Sequence, residues 1–97
     1  MSKMEVIDLI RNIVSKNMRN RYNYKLFLFG QNIIGQDHSE SIDIGIDCDK
    51  QLDPELKLKI IDELDAVDQH RNMLLIDFSS INNDLKSRIF KNCEFIN

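Results

Sequence analysis

The sequence predicts an α/β (α+β) domain in which helices pack on a small mixed sheet of about three or four strands. Apolar residues recur at helical spacing in three segments, while in three others they run together or alternate as in strands. The 97 residues are 42% hydrophobic and 30% charged, which is ordinary for a globular protein. This length predicts a single domain over residues 1–97, near the lower limit for a core without disulfides or metals.

The first helix is predicted from Met4 to about Lys16, because apolar residues recur there every three to four positions. Ser2 and Glu5 have the spacing of a capping box at its start. A strand follows over Tyr24–Phe29, and Gly30 ends it. Its nearly continuous hydrophobicity indicates a central strand that is buried on both faces.

The second strand, Ser41–Asp47, alternates strictly between apolar and polar or small residues. Its isoleucines share one face, which we expect to pack on the core. The opposite face carries carboxylates and a gap at Gly45. We therefore expect this face to meet solvent or a cleft.

A second helix is expected to begin at Pro54 with Asp53 as its N-cap. Asn72–Phe78 reads as a third strand. A last helix runs from about Asn83 to Lys91, capped by Asn82 or Asn83, with its apolar side chains facing inward at Leu85, Ile89 and Phe90. The apolar tail after it is predicted to dock. The predicted order is helix, strand, strand, helix, strand, helix.

Composition excludes several classes of protein. With 13 basic and 16 acidic residues and a net charge of −3, nothing indicates a nucleic-acid partner. The basic cluster between Lys16 and Lys25 is expected to be a solvated helix end and turn. Cys48 and Cys93 are too few for a disulfide framework, and no apolar run is long enough to span a membrane. A cytoplasmic protein with free thiols is therefore expected.

One stretch resembles a known family. The run Leu28–Gly30, a second glycine at Gly35 and the segment Ser41–Ile46 are similar to the signature of minimal nucleotidyltransferases in the DNA polymerase beta superfamily. That signature is a strand ending in Phe-Gly-Ser, a helical turn with a second glycine, and Ser-Asp-x-Asp on the next strand. Element order and the closing segment, Asn82–Ile96, also match, so the resemblance covers nearly the whole chain.

The resemblance implies a phosphate-binding turn and a magnesium site. Nucleotide contacts would come from Gly30, Gln31, Gly35 and Ser41, and Asp43 would be the metal-binding and catalytic carboxylate. In the family, two Asp residues at i and i+2 share a strand face and hold Mg²⁺, and a third Asp on the next strand completes the site. Mg²⁺ and a nucleoside triphosphate are thus the expected cofactors of an active member.

Most of the reactive positions are replaced in this chain. Gln31 stands where the family has serine, Ser41 where it has the first Asp, and Leu74 where it has the third. Asp77 follows Leu74 by three residues, and this odd separation on a strand places their side chains on opposite faces. Asp43 is the one family carboxylate that remains, which makes its catalytic role vestigial.

Other acidic residues of the chain are candidate substitutes for the missing carboxylates. Asp47 and Asp49 form an Asp-x-Asp pair, but Asp47 lies roughly 13 Å along the strand from Asp43, too far to share an ion. Glu40 precedes the strand and could lean into the cleft. The histidines, His38 and His70, lack partners at metal-ligand spacing and are expected at the surface.

Two functions remain open at this point. One is Mg²⁺-dependent transfer of a nucleoside monophosphate from a triphosphate to a hydroxyl of a protein or small molecule. The other, which the replaced residues favour, is a binding module: relatives of this kind are commonly antitoxins partnered with a helical HEPN-type toxin. Candidate contact residues are Val6 on the first helix and the tail Phe95–Ile96. An oligomer is compatible with either function.

Overall fold

The computed structural model describes residues 3–19, 21–29, 41–67 and 72–97, apart from the side chains of Lys3 and Ser41. Its elements follow the predicted order, with one short strand added at the end. They are α1 (Lys3–Met18), β1 (Tyr24–Phe29), β2 (Ser41–Cys48), α2 (Pro54–Asp65), β3 (Asn72–Asp77), α3 (Asn83–Phe90) and β4 (Glu94–Phe95).

The four strands form one mixed sheet in the order β3-β2-β1-β4. Strand β1 is antiparallel to both β2 and β4, whereas β2 and β3 are parallel. The parallel pair needs a crossover connection, and α2 supplies it. The predicted mixed sheet is confirmed, and so is the interior position of β1.

The first face of the sheet, which we call the helix face, packs against α1 and α2. Every second strand residue points toward these helices, as in Leu26, Leu28 and Ile44. The helices contribute apolar side chains at the predicted helical spacing, including Ile10, Val14, Ile60 and Leu64. Val6 belongs to this core and is fully buried, so its prediction as an exposed contact residue is wrong.

The opposite side, which we call the aromatic face, carries α3 and all five phenylalanines of the chain. Phe27 lies at the centre and contacts the other four rings, with centroid separations of 4.9 to 5.9 Å: Phe29, Phe78, Phe90 and Phe95. The alternation of β2 had predicted a face open to solvent or a cleft. Part of that face is instead covered by aromatic rings.

Gly45 makes this aromatic packing possible. It pairs with Phe27 across β1 and β2, and a Cβ at Gly45 would overlap the Phe27 ring, whose Cδ2 atom lies 3.0 Å from that position. The gap predicted at Gly45 therefore exists, but the ring fills it.

The predicted caps of α2 and α3 are confirmed, whereas Ser2, the predicted cap of α1, lies outside the described residues. The Asp53 carboxylate accepts a hydrogen bond from Glu55 N at 3.0 Å, and Pro54 opens α2. At α3 the cap is Asn82, whose Oδ1 accepts from Leu85 N at 2.9 Å. The inward orientation predicted for Leu85 is wrong, because its side chain is 44% exposed.

The C-terminal tail docks as predicted. Ile96 is buried in the helix-face core, and its carbonyl accepts a hydrogen bond from Arg11 Nε at 2.6 Å. Asn97 Oδ1 accepts from Leu26 N at 2.7 Å, which extends the pairing along β1. Phe95 and Ile96 of the tail are predicted to contact a partner. Phe95 is 47% exposed, whereas Ile96 is buried. Among the residues described, no helix has the length and apolarity needed to cross a membrane.

Candidate functional site

The candidate site lies on the aromatic face, where β2 runs between its two neighbours. Asp43 is half-buried and is paired with Phe29 of β1 and Leu74 of β3. Two residues earlier on β2, Ser41 pairs with Asn72 of β3. The strand positions at which the resemblance implies carboxylates are thus neighbours in space.

Leu74 occupies the position opposite Asp43. Paired residues of neighbouring strands point to the same side of a sheet, so the two side chains are adjacent. The Leu74 side chain is 51% exposed and offers no oxygen to a cation. A carboxylate at this position would have faced the same ion as Asp43, and the leucine removes that ligand.

Asp77 is held on the other side of the sheet, as the odd spacing predicts. Its Oδ2 accepts a hydrogen bond from Leu52 N at 3.1 Å, and its Oδ1 accepts from Ser79 N at 2.9 Å. The largest single influence on the Asp77 pKa is partial burial, which acts to raise it. Hydrogen bonds from Ser79 and Leu52 and the charge of Lys57 nevertheless keep the Asp77 pKa below its usual value. This carboxylate therefore secures the loop before α2 and does not serve the candidate site.

Asp47 is also committed to a structural contact. Its Oδ1 lies 3.0 Å from Lys86 Nζ of α3, and each side chain is only 17% exposed. This ion pair joins α3 to the end of β2, and Lys25 adds a cation–π contact with Phe90, 5.6 Å from the ring centroid. Asp49 lies beyond the strand and is exposed. The Asp47–Lys86 pair has no local signal in the sequence, because its partners are 39 residues apart.

Several predicted site residues lie outside the described residues. They are Gly30, Gln31, Gly35 and Glu40, together with the histidines His38 and His70. For Ser41 the backbone is described as part of β2, but its side chain is not. Their assignment to nucleotide binding or to the surface stays a prediction.

The described residues do not fit a magnesium site. Mg²⁺ requires near-octahedral oxygen coordination, and nucleotidyl transfer uses converging carboxylates to hold it. Within residues 3–19, 21–29, 41–67 and 72–97, no three acidic, histidine or cysteine side chains converge in a way that could hold a metal ion. Asp43 faces a leucine where the second ligand is needed.

The two cysteines offer no alternative nucleophile. Burial, followed by the negative charges of Asp77, Asp47 and Asp49, raises the pKa of the Cys48 thiol to about 12. Burial also raises the pKa of Cys93. Because the thiolate is the reactive form, these raised pKa values keep both thiols mainly protonated at neutral pH.

No protein-family model matches the chain, and no curated protein matches it significantly. Several solved structures do match. A complex of tri-AMPylated HEPN toxin with MNT antitoxin from Shewanella oneidensis has a TM-score of 0.72 at 16% identity, covering 97% of this chain and 71% of that chain.

Two further complexes give the same result. An MntA–HepT toxin–antitoxin structure has a TM-score of 0.69 at 17% identity, covering 96% of this chain and 70% of that chain. A toxin–antitoxin structure with AMP-PNP has a TM-score of 0.71 at 19% identity, covering 93% of this chain and 71% of that chain. At such identities the likeness establishes the fold, and the chain therefore has the nucleotidyltransferase fold of minimal nucleotidyltransferase antitoxins.

Proposed function

We propose that the chain is an antitoxin-like binding module for a helical HEPN-type protein and that it has lost nucleotidyl transfer. The observation that carries the proposal is the pairing of Asp43 with Leu74. Nucleotidyl transfer needs two or three converging carboxylates, and the described residues supply one, with an apolar side chain beside it.

The nearby carboxylates support this interpretation because both have other roles. Asp47 is paired with Lys86, and Asp77 accepts two backbone hydrogen bonds on the opposite face. Moving either one toward Asp43 would leave a partly buried charge or a buried N–H without its partner. The module therefore needs neither Mg²⁺ nor a nucleotide for its proposed role.

The solved complexes support the choice of partner. Structures with this fold contain an MNT antitoxin bound to a HEPN toxin. Exposed apolar side chains are available for such a contact on α1, on α3 and in the tail: Met4, Leu9, Leu85 and Phe95. A cytoplasmic location is part of the same proposal.

The alternative function is an active Mg²⁺-dependent nucleotidyltransferase. The observation in its favour is that one structure of the same fold was solved with AMP-PNP, an ATP analogue. In that case residues of the 30–40 segment would have to supply the missing ligands, with Asp43 holding the metal.

The proposal is tested by co-expressing the chain with a HEPN-type protein encoded in a neighbouring reading frame. We expect a complex that survives both Asp43→Ala and an excess of EDTA, since neither Asp43 nor a metal holds the partner. Calorimetry of the free chain with ATP and Mg²⁺ should show no saturable heat. A complex that EDTA or Asp43→Ala dissociates would contradict the proposal, and so would the absence of any complex.

A further inference from the structure

Strand β3 forms one edge of the sheet. It pairs with β2 on one side, and within the described part of the chain no strand pairs with its other side. An edge strand presents a row of unpaired N–H and C=O groups, and these can pair with another strand. The edge of β3 is therefore a surface at which a further strand can add.

The hydrogen bonds show which backbone groups point outward. Phe78 N donates to Ile46 O of β2 at 2.8 Å. Because N–H and C=O groups alternate sides along a strand, the even-numbered residues of β3 face β2. The groups that face outward are therefore those of Met73, Leu75 and Asp77.

The side chains of this edge are apolar and lack the usual protection. The strand reads Asn-Met-Leu-Leu-Ile-Asp, with no Lys and no Pro. Native edges are commonly blocked by such residues because an apolar edge invites association. Leu74 and Ile76 project on the aromatic face and are 51% and 36% exposed.

We propose that a second copy of this chain pairs with β3 in antiparallel orientation, about a two-fold axis at Leu75. In that register Leu75 faces its own copy, and Met73 faces Asp77 of the other copy. These are the residues whose backbone groups point outward, so the pairing makes about six interchain hydrogen bonds. It joins two four-stranded sheets into one and keeps their helix faces on the same side.

The exposed side chains complement each other in the same register. Leu74 of one copy lies opposite Ile76 of the other, at a pair without mutual hydrogen bonds, where side chains approach most closely. The two-fold axis repeats this contact, so four exposed apolar side chains cover one another. A shift of one residue would place outward backbone groups opposite inward ones and mix the two faces.

The charges also favour this register. Asp77, the one charged residue of β3, lies opposite Met73 and roughly 13 Å along the strand from its own copy. The charge of Lys57 acts on Asp77 within each chain. The joined edge therefore brings no like charges face to face.

The expected dimer is weak. A stable interface buries about 800 Å² on each partner, and one six-residue edge buries less. We therefore expect a dissociation constant on the order of 100 µM, with the monomer prevailing in dilute solution. This association is independent of the proposed HEPN partner.

Sedimentation equilibrium of the full chain from about 10 µM to about 1 mM tests the proposal. Three double variants are compared with the wild type: Leu74→Lys/Ile76→Lys, Leu74→Glu/Ile76→Glu, and the control Leu85→Lys/Leu9→Lys. The control replaces leucines of comparable exposure, 44% and 38%, away from the edge. Circular dichroism confirms that each variant is folded.

We expect the wild type and the control to approach twice the monomer mass at the highest concentration. Each edge variant should remain monomeric, because like charges then face each other across the axis. Mixing the Lys and Glu edge variants should restore association, since opposite charges would pair. A wild type that stays monomeric throughout would overturn the proposal. The proposal would also be overturned if the control variant were as monomeric as the edge variants, or if mixing the Lys and Glu edge variants did not restore association.

Discussion

The two faces of the sheet are built in different ways. The helix face is a continuous aliphatic core in which two helices cover alternate residues of the strands. The aromatic face rests on two buried rings, Phe27 and Phe78, with one short helix over part of it. None of the residues of α3 is fully buried, whereas α2 buries three.

The helix face contributes to stability alone, whereas the aromatic face combines buried rings that stabilise the fold with exposed residues that can bind. The helix face has to be covered for the protein to fold. Its alternation of apolar strand residues under two helices is common to small α/β domains. The aromatic face keeps exposed apolar residues, Leu74 and Ile76, near Asp43. Substitutions there can change what the protein binds without removing its main core.

The largest expected effect is from Phe27→Ala. Phe27 is fully buried and contacts four other rings, so its loss should lower the free energy of unfolding by about 3 to 5 kcal/mol. Ile44→Ala, in the helix-face core, should cost about 2 to 5 kcal/mol. Urea unfolding measures both. A cost below about 1 kcal/mol for Phe27→Ala would mean that the aromatic face contributes little to stability.

Gly45→Ala should come next, at about 1 to 3 kcal/mol, because the new methyl group overlaps the Phe27 ring. The ring is enclosed by others and cannot move away freely. A double-mutant cycle with Phe27→Leu checks the cause. The Gly45→Ala cost should fall in the Phe27→Leu background, and an unchanged cost would place the strain elsewhere.

Asp77→Asn should cost about 1 to 2 kcal/mol at pH 7, through weaker hydrogen bonds to Leu52 and Ser79. The Asp77 pKa is lower in the folded protein than in the unfolded one. Its stabilising effect is therefore complete above the unfolded pKa and is lost as pH falls through the folded pKa. Unfolding measured from pH 7 to pH 2 should show the two proteins converging in acid. A constant difference would contradict this role.

The smallest effect is expected from Lys86→Met, which leaves Asp47 without its partner. Both side chains retain some exposure, so a loss of about 1 kcal/mol is expected, between the values for surface and buried pairs. The control, Lys91→Met, removes an exposed lysine at the end of the same helix. Thermal melts of both variants should distinguish the loss of the ion pair from a general effect of removing a positive charge. Equal melting temperatures of the two variants would contradict a stabilising role of the ion pair.

The helix face was predictable from sequence because its signals are local. The spacing of Ile10 and Val14 on α1, the Asp53–Pro54 start of α2 and the alternation of β2 each lie within one segment. The sheet register then follows from which residues have to be buried. The family resemblance, and no local pattern, assigned Asp43 and Leu74 to one site, and the register of β2 and β3 pairs them.

The aromatic face was predicted only in part because its contacts join distant segments. Phe27 meets Phe78 and Phe90 only after the chain has folded, and none of these segments alone indicates the cluster. The alternation of β2 predicted a polar face, but alternation does not reveal that a ring from β1 fills the space above Gly45. The periodicity of α3 predicted that Leu85 belongs to the buried stripe of this helix. Leu85 is exposed instead, so the stripe that packs on the sheet is narrower than the sequence indicates.

The central claim is that this fold has kept its architecture and lost its catalysis. Transfer of labelled AMP from ATP and Mg²⁺ to the co-expressed HEPN-type partner tests it most directly, with the wild type compared with Asp43→Ala. The account predicts no label on the partner above the level seen with Asp43→Ala, although the complex forms with both chains. Labelling by the wild type that Asp43→Ala abolishes would contradict it and establish an active nucleotidyltransferase.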